Sequence, residues 1–407
     1  MTAATLTFQY SVRDRAGKLI NGKLEGESQA AVVAKLKVMG FAPISITEHK
    51  SGGLNRELSF GTKKVTLKDI AVMSRQFATM INAGLSLLRS LSILSEQTES
   101  KELRRILAEV AKELETGQSL SSSLAKHPAV FPPLFVNMIK AGEVGGFLDS
   151  VLLQLAANYE AEVKLRGKIK SAMTYPAVVF VIAILAVVGM LLFIVPIFAT
   201  LFDDLGGTLP APTRVLVFLS AALKFVAPFL VVAAVIGVVA WSKVKRNQRV
   251  RSVVDPLKLK LPVFGNLVRK IALSRFARNL GTMLQSGVPI LQSLDIVGQT
   301  TGNIVLERAI ADVQESVRRG ESLAQPLTKH AVFPAMVVQM MAVGEDTGAL
   351  DAMLHKISDF YDQEVEATTE ALTSLIEPLM IAVLGAIIGS MIIALYMPIF
   401  SIFALIE

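Results

Sequence analysis

The chain has 407 residues, of which 52% are apolar and only 18% charged. With a mean hydropathy of +0.53, that balance excludes an ordinary soluble protein and puts part of the chain in lipid. It contains no cysteine, which excludes disulfides, thiolate metal sites and cysteine nucleophiles.

Residues 1–60 are polar and mixed and lack the apolar stretch of a secretory signal, so the N-terminus is expected to stay in the cytoplasm. Phe8 to Val12 alternates, a turn with Gly17 follows, Leu19 to Glu25 suits a second strand, Ser28 to Met39 a helix closed by Gly40, and Pro43 to Thr47 a third strand. Residues 1–50 therefore predict a small N-terminal ββαβ domain, and 51–65, beginning Ser51-Gly52-Gly53, a linker. Thr66-Leu67-Lys68-Asp69 has capping-box spacing and opens a helix expected to run to about Ala83, where Gly84 fits the left-handed closing position. Ser86 and Ser100 suit the caps of the next two helices. In the second of these, Leu103, Ile106, Leu107, Val110 and Leu114 recur at helical spacing before Gly117 ends it. Helices over Leu120 to Lys126, Leu134 to Ile139 and Phe147 to Lys164 complete a six-helix bundle over 66–170.

From Ser171 to Phe202 there is no ionisable acid or base, a run longer than the ~20 residues that cross a bilayer. Pro176 inside it can kink a membrane helix without ending it. After a short loop over 203–214, residues 215–241 form a second apolar stretch whose one charge, Lys224, can reach the interface along its stem. Residues 242–377 return to polar helical sequence, and Pro378 to Ile406 is again uncharged, making three transmembrane helices in all. Lys164, Arg166, Lys168 and Lys170 precede the first span, and Lys243, Lys245, Arg246, Arg249 and Arg251 follow the second, so both flanks are expected inside. The third span has no such flank: Glu364, Glu366, Glu370 and Glu377 precede it. Its C-terminus is expected outside, in the periplasm. Between Ser242 and Arg278 stand eleven bases and one acid, Asp255. The basic pI is thus a topology signal, with anionic lipids and not nucleic acid as the expected partner of this stretch.

The chain repeats itself. At an offset of 203, Arg75, Thr79, Met80, Gly84, Leu88, Ser90 and Leu91 correspond to Arg278, Thr282, Met283, Gly287, Leu291, Ser293 and Leu294, and Gly117 to Gly320. After one deletion the offset is 202, where Gly142, Glu143, Tyr159, Pro176 and Pro196 meet Gly344, Glu345, Tyr361, Pro378 and Pro398. The repeated unit is a helical bundle plus one membrane helix, and the second span is the unpaired crossing that lets both bundles face one side. The fold class expected is mainly α: a polytopic membrane protein with two repeated cytoplasmic six-helix bundles.

Titratable residues offer little chemistry. The histidines, at 49, 127, 330 and 355, have no metal-ligand spacing, and there is no GxxxxGK[ST] loop for nucleotide phosphates. No metal, cofactor or catalytic residue is assigned. The most specific local pattern is GE-x-x-G-x-L-D, from Gly142 to Asp149 with Gly146 and again from Gly344 to Asp351 with Gly348. Its glycines suit helix ends and turns and its Asp a helix start. Glu143 and Glu345, which neither cap nor turn demands, are candidates for a docking surface together with Arg75 and Arg278.

The segments Arg75-Gln76-Phe77-Ala78 through Gly84, Gly142-Glu143 with Gly146, Leu261-Pro262-Val263-Phe264-Gly265, Gln285-Ser286-Gly287-Val288-Pro289, Gly344-Glu345 with Gly348, and Glu377-Pro378 carry a further signal. Together they resemble the inner-membrane platform family shared by type IV pilus assembly and type II secretion, over essentially the whole chain. Tyr396-Met397-Pro398-Ile399-Phe400 and Phe360-Tyr361-Asp362-Gln363-Glu364-Val365 are more similar to the pilus branch. The resemblance implies non-catalytic six-helix bundles and homo-oligomers in the inner membrane. It also implies contact with a hexameric cytoplasmic ATPase, with pilin or pseudopilin subunits, and with other inner-membrane alignment proteins. The expected role is to couple the ATPase to insertion of pilins into a fibre; the alternatives are a secretion platform moving pseudopilins and, further off, a solute transporter built from repeats.

Overall fold

The computed structural model describes residues 6–13, 19–26, 29–38, 42–48, 64–204, 209–244, 247–262 and 264–406. Residues 1–64 and 65–407 form two separate units. In the first, strands β1 (Leu6–Arg13) and β2 (Leu19–Gly26), helix α1 (Gln29–Val38) and strand β3 (Ala42–Glu48) follow in that order. β1 lies between the other two and pairs antiparallel with both. Among the described side chains, Val32 and Leu36, one turn apart on α1, are buried. Most of the linker expected over 51–65 lies outside the described residues.

The second unit begins with six helices: α2 (Leu67–Asn82), α3 (Leu87–Gln97), α4 (Lys101–Glu115), α5 (Leu120–Ala125), α6 (Pro133–Gly145) and α7 (Leu148–Gly189). The chain then passes through a π-helical turn (Met190–Ile194) into α8 (Val195–Asp204), and returns as α9 (Ala211–Val244). A short helix without counterpart among the described residues of the first half, α10 (Gln248–Lys260), leads into the second copy. That copy comprises α11 (Phe264–Gln285), α12 (Ile290–Thr300), α13 (Ile304–Arg318), α14 (Ala324–Leu327), α15 (Ala335–Thr347) and α16 (Leu350–Ile406).

Side-chain caps set the helix starts. The Thr66 amide donates to the Asp69 carboxylate at 2.8 Å while the Asp69 amide donates to the Thr66 hydroxyl at 3.2 Å, a reciprocal capping box. Ser86, Ser100 and Ser119 accept from first-turn amides of α3, α4 and α5. Gly84, Gly117, Gly146, Gly287, Gly320 and Gly348 all take positive φ after a helix. Gly142 and Gly344 correct the sequence reading, because they end nothing. Each is buried inside its helix, and a Cβ at Gly142 would stand 3.0 Å from the Leu148 Cα, one at Gly344 2.9 Å from the Leu350 Cα. They are glycine so that α7 can cross close to α6, and α16 close to α15. α6 therefore runs past Ile139 and Gly142 to Gly145, and Gly146 takes the left-handed position that ends it.

The last helix of each bundle continues into a long apolar stretch. α7 spans 42 residues, running through Lys164, and α16 spans 57, with Pro176 and Pro378 in their interiors. At ~1.5 Å per residue, α7 alone is about 60 Å long, enough to serve both as a bundle helix and as a bilayer crossing. Among the described residues three helices are long and apolar enough to cross a membrane: 148–203, 211–242 and 350–398. They meet at the ends remote from the bundles, where Val195, Leu216, Met391, Ala394 and Leu395 are buried together and the Thr213 hydroxyl donates to the Ala394 carbonyl at 2.5 Å.

One apolar core runs through both bundles, from Phe77, Phe131, Phe135 and Tyr159 to Phe276, Phe333 and Tyr361. A fully buried Leu, Phe or Met side chain contributes ~1.5–3 kcal/mol relative to exposure. Because the bundles share this core, both lie on the same side of any layer that α7, α9 and α16 cross.

Candidate functional site

The site with the most convergent polar chemistry is the seam where α7 of the first bundle lies against α11 of the second. α7 presents Gln154, Asn158 and Glu162 at intervals of four, hence on one face. Ser286 donates its hydroxyl hydrogen bond to the Gln154 side chain. The Asn158 amide donates to Asn279 at 3.2 Å and to the Thr282 hydroxyl at 3.3 Å. Glu162 then receives Arg275 at 2.6 Å, with Arg278 at 3.8 Å and Arg166 of its own helix at 2.6 Å. Only 12% of the Glu162 side chain and 7% of that of Arg278 remain exposed. A carboxylate so far from water needs these guanidinium donors, and breaking such a group of charges is costly. Below this polar ladder, toward the spans, Leu165, Leu267, Val365 and Leu372 are buried together, and Lys168 pairs with Glu366. The stems of the two helices that continue into the first and third spans are thereby tied to each other and to α11.

The residues singled out from sequence fall elsewhere than expected. Arg278 is not a surface residue. It is buried and pairs with Asp362 as well as Glu162. Its repeat equivalent Arg75 pairs with Glu160, the equivalent of Asp362, with donor distances of 2.7 and 2.6 Å. Those bonds raise the Arg75 pKa. The same cross-brace therefore ties the first helix to the last in each copy, exposed in one and buried in the other.

Glu143 and Glu345 are likewise engaged inside their own bundles. The Glu143 carboxylate accepts from the Leu120 and Ser121 amides at 2.5 and 3.0 Å. That of Glu345 accepts from the Leu323 and Ala324 amides at 2.7 and 3.2 Å and from the Ser322 hydroxyl at 2.7 Å. Each caps the amino end of the short helix opposite, α5 or α14, across 22 or 23 residues of sequence. A cap is therefore what demands Glu at that place, and the sequence missed it because the capped helix is not the one the glutamate belongs to. Local spacing cannot report a cap delivered from another helix.

Among the described residues no group of three or more His, Asp or Glu side chains is placed to hold a metal ion. His127 and His330 occupy equivalent loop positions, 3.6 Å from Glu109 and 3.0 Å from Asp312, and their side chains are mostly buried.

Comparison with known proteins gives the same partition of the chain. The family model described as type II secretion system protein F matches residues 73–196 and again 276–398, which are the two copies. The N-terminal domain model of the same protein matches residues 1–47. The chain is 42% identical to the type IV pilus assembly protein PilC of Myxococcus xanthus, over 99% of this chain and 97% of that protein. It is also 42% identical to the protein of that name from Thermus thermophilus, over 97% and 98%. The type II secretion system protein F of Vibrio cholerae is 32% identical over 96% of this chain and 97% of its own. With both copies of the repeat matched and relatives covered from end to end, the chain belongs to the type II secretion system protein F family.

Proposed function

We propose that the chain is a non-catalytic inner-membrane platform for type IV pilus assembly. On this reading it takes movement from a hexameric cytoplasmic ATPase on its two bundles and passes it to pilin subunits leaving the bilayer. The observation that carries the mechanism is the unbroken run of α7 from the bundle into the first span, clamped at its stem by the Glu162 cluster. A force on either bundle then acts on both stems at once, since neither has a loop to absorb it between bundle and membrane. The basic residues before the first span and after the second favour bundles in the cytoplasm, an N-terminus beside them and a C-terminus in the periplasm. Sequence identity favours pilin as cargo over pseudopilin, at 42% against 32%.

The test is a flexible Gly/Ser segment inserted at Gly167, an exposed position of α7 whose Cβ direction is open. The insertion leaves the apolar span intact and cuts the mechanical continuity. Cells carrying it should place the protein in the membrane at normal level and make no surface pili. Normal pili would refute the coupling, and unchanged pili with lost protein secretion on deleting the gene would reassign the cargo.

A further inference from the structure

Among the described residues the helix α10 has no copy in the first half of the chain, and neither it nor the turn at Leu261 and Pro262 that closes it has a role in the seam. One side of α10 is pinned to the second bundle. Asp255, 3% exposed, accepts from the Ile304 amide at the start of α13 at 3.2 Å and holds Lys258 at 3.1 Å and Arg251 at 3.6 Å. Arg251 reaches on to Glu307 at 2.9 Å. The closing turn is tight: the Gly265 amide donates to the Leu261 carbonyl at 2.9 Å, and a Cβ on Gly265 would stand 2.7 Å from the Leu259 carbonyl carbon. That approach fixes the direction of α10 relative to α11.

The opposite side of α10 is apolar and bare. Val253 is 67% exposed and Leu257 59%, with Leu261 and Phe264 exposed beyond them. Arg249 and Lys260 flank this row, exposed and without an ion pair among the described residues. The only acid between Ser242 and Arg278 is Asp255, and it faces inward. All the charge on the outer face is therefore positive. Its position completes the argument. α9 ends at Val244 and α10 is capped by Asn247, three residues on, a reach of at most ~11 Å. Trp241, exposed near the end of α9, is the residue type that settles at a membrane interface.

We infer that α10 lies on the cytoplasmic leaflet beside the second span, with Val253, Leu257 and Leu261 seated among acyl chains and Arg249 and Lys260 on anionic lipid headgroups. It would hold the second bundle at a fixed height and tilt against the bilayer. This rests on α9 being a membrane span and not on which cargo is moved. An amphipathic helix of this kind needs apolar area and basic flanks together, and α10 supplies both on one face.

The absence of native cysteine allows a direct test. The full chain carrying Val253→Cys or Leu257→Cys is spin-labelled in nanodiscs of phosphatidylglycerol and phosphatidylcholine, with Glu315→Cys as an aqueous reference and Val235→Cys as a reference inside the span. Collisions with oxygen should dominate over those with a nickel chelate at 253 and 257, as at 235 and opposite to 315. Replacing Arg249 or Lys260 by Gln should lower the ratio of seated to free label about fivefold each, and neutral lipid, which removes both contributions, about 25-fold. Aqueous labels at 253 and 257 with a lipid-exposed 235 would overturn the proposal. So would labels shielded from both reagents, which would mean a protein cover such as a second copy or the ATPase. An aqueous 235 would remove the span and the proposal with it, and seating indifferent to lipid charge would overturn the anionic requirement.

Discussion

Replacing Glu162 by Ala removes the acceptor on which three guanidinium groups converge. Arg166 is over half exposed, so its share is small. Arg275 and Arg278 are largely buried, and a hydrogen bond to a charged group of this kind is worth ~1.5–3 kcal/mol. Arg278 keeps Asp362, which offsets part of the loss, whereas Arg275 keeps no other ion pair among the described residues. The net cost should be about 3 kcal/mol, felt between the bundles more than inside them, because the Arg75–Glu160 and Arg278–Asp362 braces survive. That corresponds to about a 150-fold smaller ratio of closed to open seam. The chain can be spin-labelled at Glu115→Cys and Arg318→Cys, one exposed site on each bundle, and the distance distribution measured by pulsed electron resonance. The parent chain should give a narrow distribution, Glu162→Ala a broad one, and Glu162→Gln, which keeps one acceptor, an intermediate one. An unchanged distribution, together with a melting shift no larger than that of the exposed Glu315→Ala, would refute the lock.

Glu345→Ala should free the start of α14, raising hydrogen exchange at the Leu323 and Ala324 amides about tenfold for a lost cap of ~1–2 kcal/mol, while exchange in α13 stays unchanged. Gly344→Ala should cost about 1–3 kcal/mol and lower the melting temperature, since the new methyl group meets the backbone of Leu350 and not a movable side-chain end. The Glu321 carboxyl is held down to about 2 by hydrogen bonds, first from Arg319 and then from Ser316. With a folded value below the unfolded one, its contribution is complete above pH ~4.5 and lost as the pH falls toward 2; melting curves of Glu321→Gln should therefore depend less on pH in that window than those of the parent.

Helix ends of the first bundle were legible because their causes are local. Thr66 with Asp69, Ser86, Ser100, Gly84 and Gly117 each act within one turn of the end they define. The spans were legible because a bilayer imposes length and composition directly. The candidate site was not. Gly142 looks like a helix stop until α7 is seen crossing over it, and Glu143 looks free until α5 is seen turning its amides toward it. Arg278 reads as a surface base in a basic stretch, and only the packing of α7 and α16 beside α11 shows that it is buried between two acids. The cap and the ion pairs depend on partners more than 20 residues away, and the glycine on a helix that folds back over it, all beyond the reach of spacing and propensity.

The duplication itself separates what holds the fold from what joins the halves. The capping glutamates, the close-approach glycines and the Arg–acid braces occur in both copies, as each bundle needs them to close. The seam occurs once. At its equivalents the other faces carry Val72 for Arg275, Gln76 for Asn279, and Phe360 for Asn158, and all three are exposed. Glu364, the counterpart of Glu162, turns instead to Lys270 at 2.7 Å. Two identical bundles would offer the same face to each other and could not choose which side packs inward; substitution along one face of α7 and one face of α11 breaks that degeneracy. The residues that differ between the copies are therefore the ones that set how the two stems stand together at the membrane.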